Sequence, residues 1–498
     1  MAIIFALSNQ TSKKMNKTIL IALLAAFLMN QAVMGQVRIY PLPEKDCPEL
    51  KDDYKVSVCP DGDSLWQTVP TLRCDVDLRS PQQASFAEFD MQGKVRVRIK
   101  LENGKTASAS NVAIRPQSKN IGYTVIDNRT IELQLDTPEY LSVEFGGDRL
   151  HNLHLFANPW LEEQHTPDEP RAINWMAPNA QDVFVRDASL IYFGPGVHRP
   201  KDLPGGDIRI PSNCTVYLAP GAIVKARLVV DHAENVRIVG RGILDHPLRG
   251  IEITYSKNVL VDGLTVLNPQ HYTVFGGQSE GITLRHLKSF SCKSWTDGID
   301  LMCCNNVKIE NVFLRTSDDA IALYNHRWWF WGGSRGFDIS RATLWTDVAH
   351  PINIGTHGDD RSDMGETLEN VRMYDCDILY ARTNSLLNVS CGDKNTINDV
   401  VFDDIRIEGI ESSALIGVRV VFGSTYNRAP GNLVMDINFH RIRFMGDASQ
   451  LKPCFFDGYD EQHRIGRVTL DNILVNGRPL NAKDINIGRF VESVVIKP

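Results

Sequence analysis

Two patterns of apolar and polar positions divide the chain. Between residue 37 and about residue 185, short runs alternate apolar with polar residues, as in Val95–Leu101, Thr130–Leu135 and 141–145. Turn-forming clusters separate them, such as Glu102-Asn103-Gly104 and Gly146-Gly147-Asp148. Alternation sends every second side chain to one face, so these runs predict the half-buried strands of an antiparallel β-sandwich. A stretch rich in Pro, Asn and Asp at 166–182 reads as a linker.

From about residue 208 a repeat takes over. Its copies include Glu-Asn-Val-Arg-Ile-Val-Gly from 234, Lys-Asn-Val-Leu-Val-Asp-Gly from 257, Asn-Asn-Val-Lys-Ile-Glu-Asn from 305 and Glu-Asn-Val-Arg-Met-Tyr-Asp from 369. The leading apolar residues Val236, Val259, Ile282 and Val307 stand 23, 23 and 25 residues apart, and the later steps to Phe337, Val371 and Val400 are longer. A period in the low twenties with alternation inside each unit fits one coil of a β-solenoid. A leucine-rich repeat shares this period but needs a lattice of Leu, and Val, Ile, Asn and Gly dominate here. Asn235, Asn258, Asn306 and Asn370 recur at one phase, which predicts a stacked ladder at a coil corner. The longer later steps predict loops inserted on one face. The expected fold is all-β: a β-sandwich over 36–185, then a right-handed parallel β-helix over 186–498.

Each coil carries a second short strand. The residues just before it are Tyr272, Asp297, Asp319, His350 and Asn384. Residues of equal phase in adjacent coils stack about 4.8 Å apart, so Asp297, Asp319 and His350 should form a row. Asp318 sits beside Asp319, and Asp300 lies three residues beyond Asp297. Carboxylates this close repel, which raises at least one pKa and keeps a carboxyl protonated as a general acid near neutral pH. Hydrolysis of a glycoside needs such an acid and a base for water. A solvated Asp-rich turn or a calcium site would use the same residues. The in-phase histidine and the loop Tyr324-Asn-His-Arg-Trp-Trp-Phe-Trp331 favour the catalytic reading, because sugar faces stack on aromatic rings. That loop could instead pack on the flank as a small satellite core. The candidate catalytic residues are Asp297, Asp318 and Asp319. The candidate substrate-binding residues are His350, Asp300, Trp295, His271, Tyr324, Trp328, Trp329, Asn384 and His357.

Composition narrows the partners. A net charge of −7 argues against nucleic acid or an anionic membrane surface, and the aspartates with the aromatic loop make an oligo- or polysaccharide the expected partner. No Cys/His spacing resembles a zinc site, and no metal or cofactor is expected. Residues 1–35 read as a signal peptide. Lys13, Lys14 and Lys17 precede an apolar run at 18–29 too short to span a bilayer, Gln36 would follow cleavage, and Met15 is an alternative start. Export from a bacterium, to the periplasm or beyond, is the expectation. The 10 cysteines suit an oxidising compartment without forming a dense framework. Cys47 and Cys59 could pair, while Cys303 and Cys304 read as buried thiols.

Trp295-Thr-Asp-Gly-Ile-Asp300 and Ser317-Asp-Asp-Ala-Ile-Ala-Leu323 resemble the Asn-Thr-Asp-Gly and Asp-Asp motifs of the polygalacturonases, glycoside hydrolase family 28. His350-Pro-Ile-Asn-Ile-Gly355 looks like that family's Gly-His-Gly segment. Ile191-Tyr-Phe-Gly-Pro-Gly-Val-His198 with Val216-Tyr-Leu-Ala-Pro-Gly-Ala-Ile-Val-Lys225 resembles the domain junction of glycoside hydrolase family 49, the dextranases and isopullulanase. This second resemblance covers both domains and implies three catalytic aspartates on a β-helix. It implies that Asp318 is the general acid, and that Asp297 and Asp319 hold and deprotonate the water. His350 would tune the acid or touch the sugar. An inverting mechanism asks for carboxyl groups roughly 6.5–9.5 Å apart, so Asp318 is expected to point away from Asp319. Polygalacturonases grip a uronate with Arg-x-Lys one coil after the His. Here that strand reads Ser385-Leu-Leu-Asn-Val389, and Arg419 stands a coil further on without its Lys. A neutral α-linked glycan is therefore expected. A pectic substrate, a β-helix lyase and a non-catalytic carbohydrate-binding solenoid are the alternatives.

Overall fold

The computed structural model describes residues 35–42, 50–51, 53–102, 108–174, 188–199, 206–423 and 425–497. The expected signal peptide (save Gly35), Cys47 and the expected domain boundary at 185–186 lie outside the described residues.

The N-terminal domain is a sandwich of two sheets. One runs in the order Gln36–Ile39, Gln82–Gln92, Leu153–Pro159, Tyr140–Phe145, Val112–Arg115, with Thr71–Val76 paired to Gln82–Gln92. The other runs Gln67–Val69, Tyr54–Pro60, Val95–Leu101, Thr130–Leu135, Tyr123–Asp127. Val95, Val97, Ile99 and Leu101 face inward and are buried, as the alternation predicts. The sandwich is not wholly antiparallel: Leu153–Pro159 pairs parallel to Gln82–Gln92. The chain reaches that position only after crossing to the other sheet, and such a crossover permits parallel pairing.

The earlier coils of the second domain contribute three strands each, and in two later coils the first two merge into Thr367–Ala381 and Thr396–Ile407. Glu234–Gly240, Ile243–Asp245 and Ile251–Thr254 stack on Lys257–Asp262, Thr265–Leu267 and Val274–Gly277 in parallel register. The result is a parallel β-helix, wound right-handed as parallel crossovers are. Val236, Val259, Ile282, Val307, Phe337, Val371 and Val400 form one buried column of its core. The recurrent asparagines have a backbone reason. Asn235, Asn258, Asn306 and Asn370 have φ of 56, 55, 54 and 56°, and the same corner holds Gly281, Gly336, Asp399 and Asp436 at φ 70, 77, 56 and 55°. The left-handed region costs most residues roughly 1–2 kcal/mol, and Gly, Asn and Asp tolerate it best. The ladder is real for Asn258 Nδ2 to Asn235 Oδ1 at 2.7 Å, but Asn306 turns to Glu280 instead.

The sandwich docks on the face made by the middle strands. Leu72, Phe86 and Phe156 pack against Phe290, Phe313 and Trp345. Arg241 Nε donates to Asp90 at 2.6 Å, Lys288 Nζ to Asn158 at 3.0 Å and Arg315 to Asn152 at 3.0 Å. The third-strand face, from Val274–Gly277 to Ser385–Cys391, takes no part in that contact. Cys303 and Cys304 are buried free thiols, as expected, and Cys59 is also free. Among the described residues no helix is long and apolar enough to cross a membrane.

Candidate active site

The third-strand face includes Ile299–Met302, Ile321–Tyr324, Ile352–Gly355 and Ser385–Cys391 in parallel register. Gly298 N donates to Asp319 O at 2.8 Å and Ala320 N to His350 O at 2.9 Å. These bonds place Asp297, Asp319 and His350 one per coil in a row, as the repeat phase predicts. Asn384 does not continue it. Ile352 pairs with Leu387, so Ser385 occupies the next place and Asn384 falls one residue early. It still lines the cavity.

A hydroxyl scaffold supports the row from behind. The buried Thr296 and Ser317 hydroxyls share a hydrogen bond at 2.6 Å, Ser291 Oγ donates to Thr296 O at 2.7 Å, and Thr316 Oγ1 donates to Asp318 O at 2.7 Å. The last bond bends the chain at 317–318, so strand alternation does not apply there. Asp318 therefore does not point away from Asp319. One carboxyl oxygen from each of Asp297, Asp318 and Asp319 lies within 4.8 Å of the others.

The carboxyl groups have different surroundings. Asp319 Oδ1 accepts from His350 N at 2.7 Å. Its Oδ2 accepts from Asn353 Nδ2 at 2.8 Å and from the Tyr324 hydroxyl at 3.5 Å. Asn388 Nδ2 in turn holds Asn353 Oδ1 at 2.9 Å. Burial, with the charge of Asp319 adding, pushes Asp318 up to about 6. Backbone N–H groups of Asp319 and Trp295 oppose that rise. Burial pushes Asp297 well above the carboxylate range, and Asp300, Asp318 and Asp319 add to it. Its Oδ1 has no hydrogen-bond partner among the described residues. Burial likewise raises Asp300, against the pull of Arg327, whose guanidinium lies 3.4 Å away. Three such carboxylates could share a divalent cation, although both oxygens of Asp319 already accept hydrogen bonds.

The cavity over this row measures about 870 Å³. Trp295, Tyr324, His350 and His357 line it as expected. Trp295 stands exposed at the mouth with φ 64°. Burial depresses His357 to about 3. Asp300, His271, Trp328 and Trp329 do not line it. Asp300 is fully buried, and His271 packs on Tyr272 with ring centroids 4.0 Å apart. The aromatic loop has two roles. Phe330 is buried with Tyr272, Phe275 and Tyr324 in a satellite core, while Trp328 and Trp329 stand on the surface. Arg327, Asn353 and Asn388 went unrecognised in the sequence. The asparagines carried a signal, since both sit at the phase of Asp300 in later coils. Arg327 carried none, because its loop position has no repeat phase.

The family model described as Glycosyl hydrolases family 28 matches residues 208–487, and that of the Glycosyl hydrolase family 49 N-terminal Ig-like domain matches residues 62–184. Dextranase from Talaromyces minioluteus is 26% identical over 338 residues, which are 54% of this chain and 53% of that protein. Polygalacturonase from Chamaecyparis obtusa is 32% identical over 114 residues, 22% of this chain and 20% of that protein. The match thus spans about half the length of the dextranase and a fifth of the polygalacturonase. Among solved structures, Dex49A from Penicillium minioluteum has the same fold, with a TM-score of 0.57 at 16% identity over 93% of this chain and 96% of its own.

Proposed function

This chain belongs to glycosyl hydrolase family 28 through residues 208–487, and from that premise we propose that it hydrolyses O-glycosidic bonds in a neutral, α-linked glycan with inversion. One contrast carries the reading. Asp318 is a carboxyl raised to about 6, and it shares a cavity with Asp319, whose oxygens are both held by fixed donors. The first suits a proton donor and the second a proton acceptor. Asp318 gives its proton to the leaving oxygen. Asp297 and Asp319 hold the attacking water, and Asp319, whose oxygens are held by donors, takes its proton. The His350 Nδ1 donates to Ser385 O at 2.6 Å, which leaves Nε2 available to the acid or to a sugar hydroxyl. Export through the segment 1–35 is part of the same proposal, since a polysaccharide is met outside the cell.

Neutrality of the substrate rests on the strand Ser385–Cys391, which has no basic side chain, and on Arg327, which is engaged by Asp300. An acidic glycan is a second reading, supported by Arg419. It lines the cavity with no carboxylate in ion-pair distance among the described residues. The approach of the carboxyl oxygens within 4.8 Å also favours a rival stereochemistry, because retaining enzymes use the closer spacing. Rates on dextran, pullulan and polygalacturonan separate the substrates, and NMR of the first-formed anomer separates the mechanisms. Asp318→Asn should lower kcat by about 10²–10⁴ on the preferred glycan. Full activity in that variant would refute the assignment.

A further inference from the structure

The cleft is short on one side of the aspartates and long on the other. From this we infer that the protein attacks glycan chains at an end and releases short products. The inference rests on the glycosidase reading above. On the N-terminal side of Asp297, only one further coil contributes to the cavity, through Tyr272. Trp328 stands behind Tyr272, outside the cavity lining. Its ring stacks on Tyr272 at 6.3 Å and 12° and packs against Phe275 at 5.5 Å. The Arg249 guanidinium lies 4.3 Å over Phe275, and that of Arg327 lies 4.6 Å over Trp328. Arg327 is itself tied to Asp300, so this wall is anchored in the floor of the site.

On the other side the cavity continues through the coils of His350, Asn388, Arg419, Asp457 and Arg489. The register links them strand by strand, from Ile352–Gly355 through Ser385–Cys391, Ser413–Val420 and Cys454–Asp457 to Ile485–Ile487. With about 4.8 Å per coil, the cleft reaches roughly 24 Å beyond Asp319 in this direction, against about 5 Å beyond Asp297 in the other. Amides and phenol rings line the long arm, which suits sugar hydroxyls and ring faces. A polymer cut in its interior must lie on both sides of the scissile bond. Here the short side ends at Tyr272, on which Trp328 stacks.

The test is time-resolved sizing of products, with viscosity, on whichever of dextran, pullulan and polygalacturonan the wild type cleaves. Mono- or disaccharide should dominate from the earliest time point, and viscosity should fall slowly relative to new reducing ends. An early ladder of long oligosaccharides with collapsing viscosity overturns the inference while leaving the glycosidase reading intact. Absence of hydrolysis on every glycan overturns both. Trp328→Ala, with its melting temperature checked, should increase the share of products longer than two units at least threefold. Unchanged product lengths in the folded variant would overturn the role of the wall.

Discussion

Asn353→Leu isolates one hydrogen bond of the candidate base. Asn353 is buried, donates to Asp319 Oδ2 at 2.8 Å and receives Asn388 Nδ2 at 2.9 Å. Leucine keeps much of the side-chain shape and removes the donor. A hydrogen bond to a charged group contributes about 1.5–3 kcal/mol net. At 1.36 kcal/mol per tenfold change in rate, its loss predicts a fall of about 10- to 150-fold in kcat/KM. The Tyr324 hydroxyl remains near Oδ2 at 3.5 Å, which places the expectation in the lower half of that range. Asn388 Nδ2 keeps the Ser390 hydroxyl at 3.1 Å, so the second amide is not stranded and the fold should survive. Initial-rate kinetics on the preferred glycan give kcat and KM separately, and thermal melting controls for folding. The loss should appear in kcat, because the bond positions the base and does not touch the ground-state sugar. Wild-type kcat in a folded variant would refute the role given to Asp319, and a loss confined to KM would reassign Asn353 to substrate binding.

Three further outcomes are expected. The acid must be protonated and Asp318 sits at about 6, so the rate should fall as pH rises through about 6; the base that takes the water's proton must be ionised, so it should also fall at low pH. These apparent values belong to the coupled cluster, and a rate that is flat from pH 5 to 8 would contradict the assignment. The raised pKa of Asp297 means that the folded chain binds its proton more tightly than the unfolded chain. Its contribution to stability is therefore greatest below the ordinary aspartate pKa, about 3.9, and is lost as pH rises towards the folded value. Asp297→Asn should raise the melting temperature at pH 7–8, with the gain vanishing near pH 3–4, and a lower melting temperature at pH 8 would contradict this. EDTA should leave turnover unchanged, whereas turnover abolished by EDTA and restored by calcium would put a cation among Asp297, Asp318 and Asp319.

The row of Asp297, Asp319 and His350 was legible because equal phase in a parallel repeat becomes contact between coils, a rule that needs no side-chain detail. The rule fails where the chain leaves the strand. The bend at 317–318 turns Asp318 toward its neighbours, although alternation predicted divergence. The extra residue before Ser385 removes Asn384 from the row. Arg327 sits on an inserted loop, and only three-dimensional packing brings it to Asp300.

A different blindness hid the domain contact. Arg241 lies in the bend before Ile243–Asp245, Lys288 and Arg315 lie on middle strands, and charged residues at such outward positions read as solvent-facing. The structure buries all three beneath the sandwich, which supplies Asp90, Asn158 and Asn152 as partners. Buried charges of this kind are costly unless paired. Phe290, Phe313 and Trp345 beside them would form an exposed apolar patch on a β-helix standing alone. The sandwich is thus part of the packing of the β-helix. It takes the middle-strand face, none of its described residues lines the cavity, and it packs on the coils that carry Lys288–Phe290 and Phe313–Thr316. Those two strands lead directly into the loops of Asp297 and Asp318. The aspartate geometry is therefore braced from behind by a domain whose described residues lie outside the cavity.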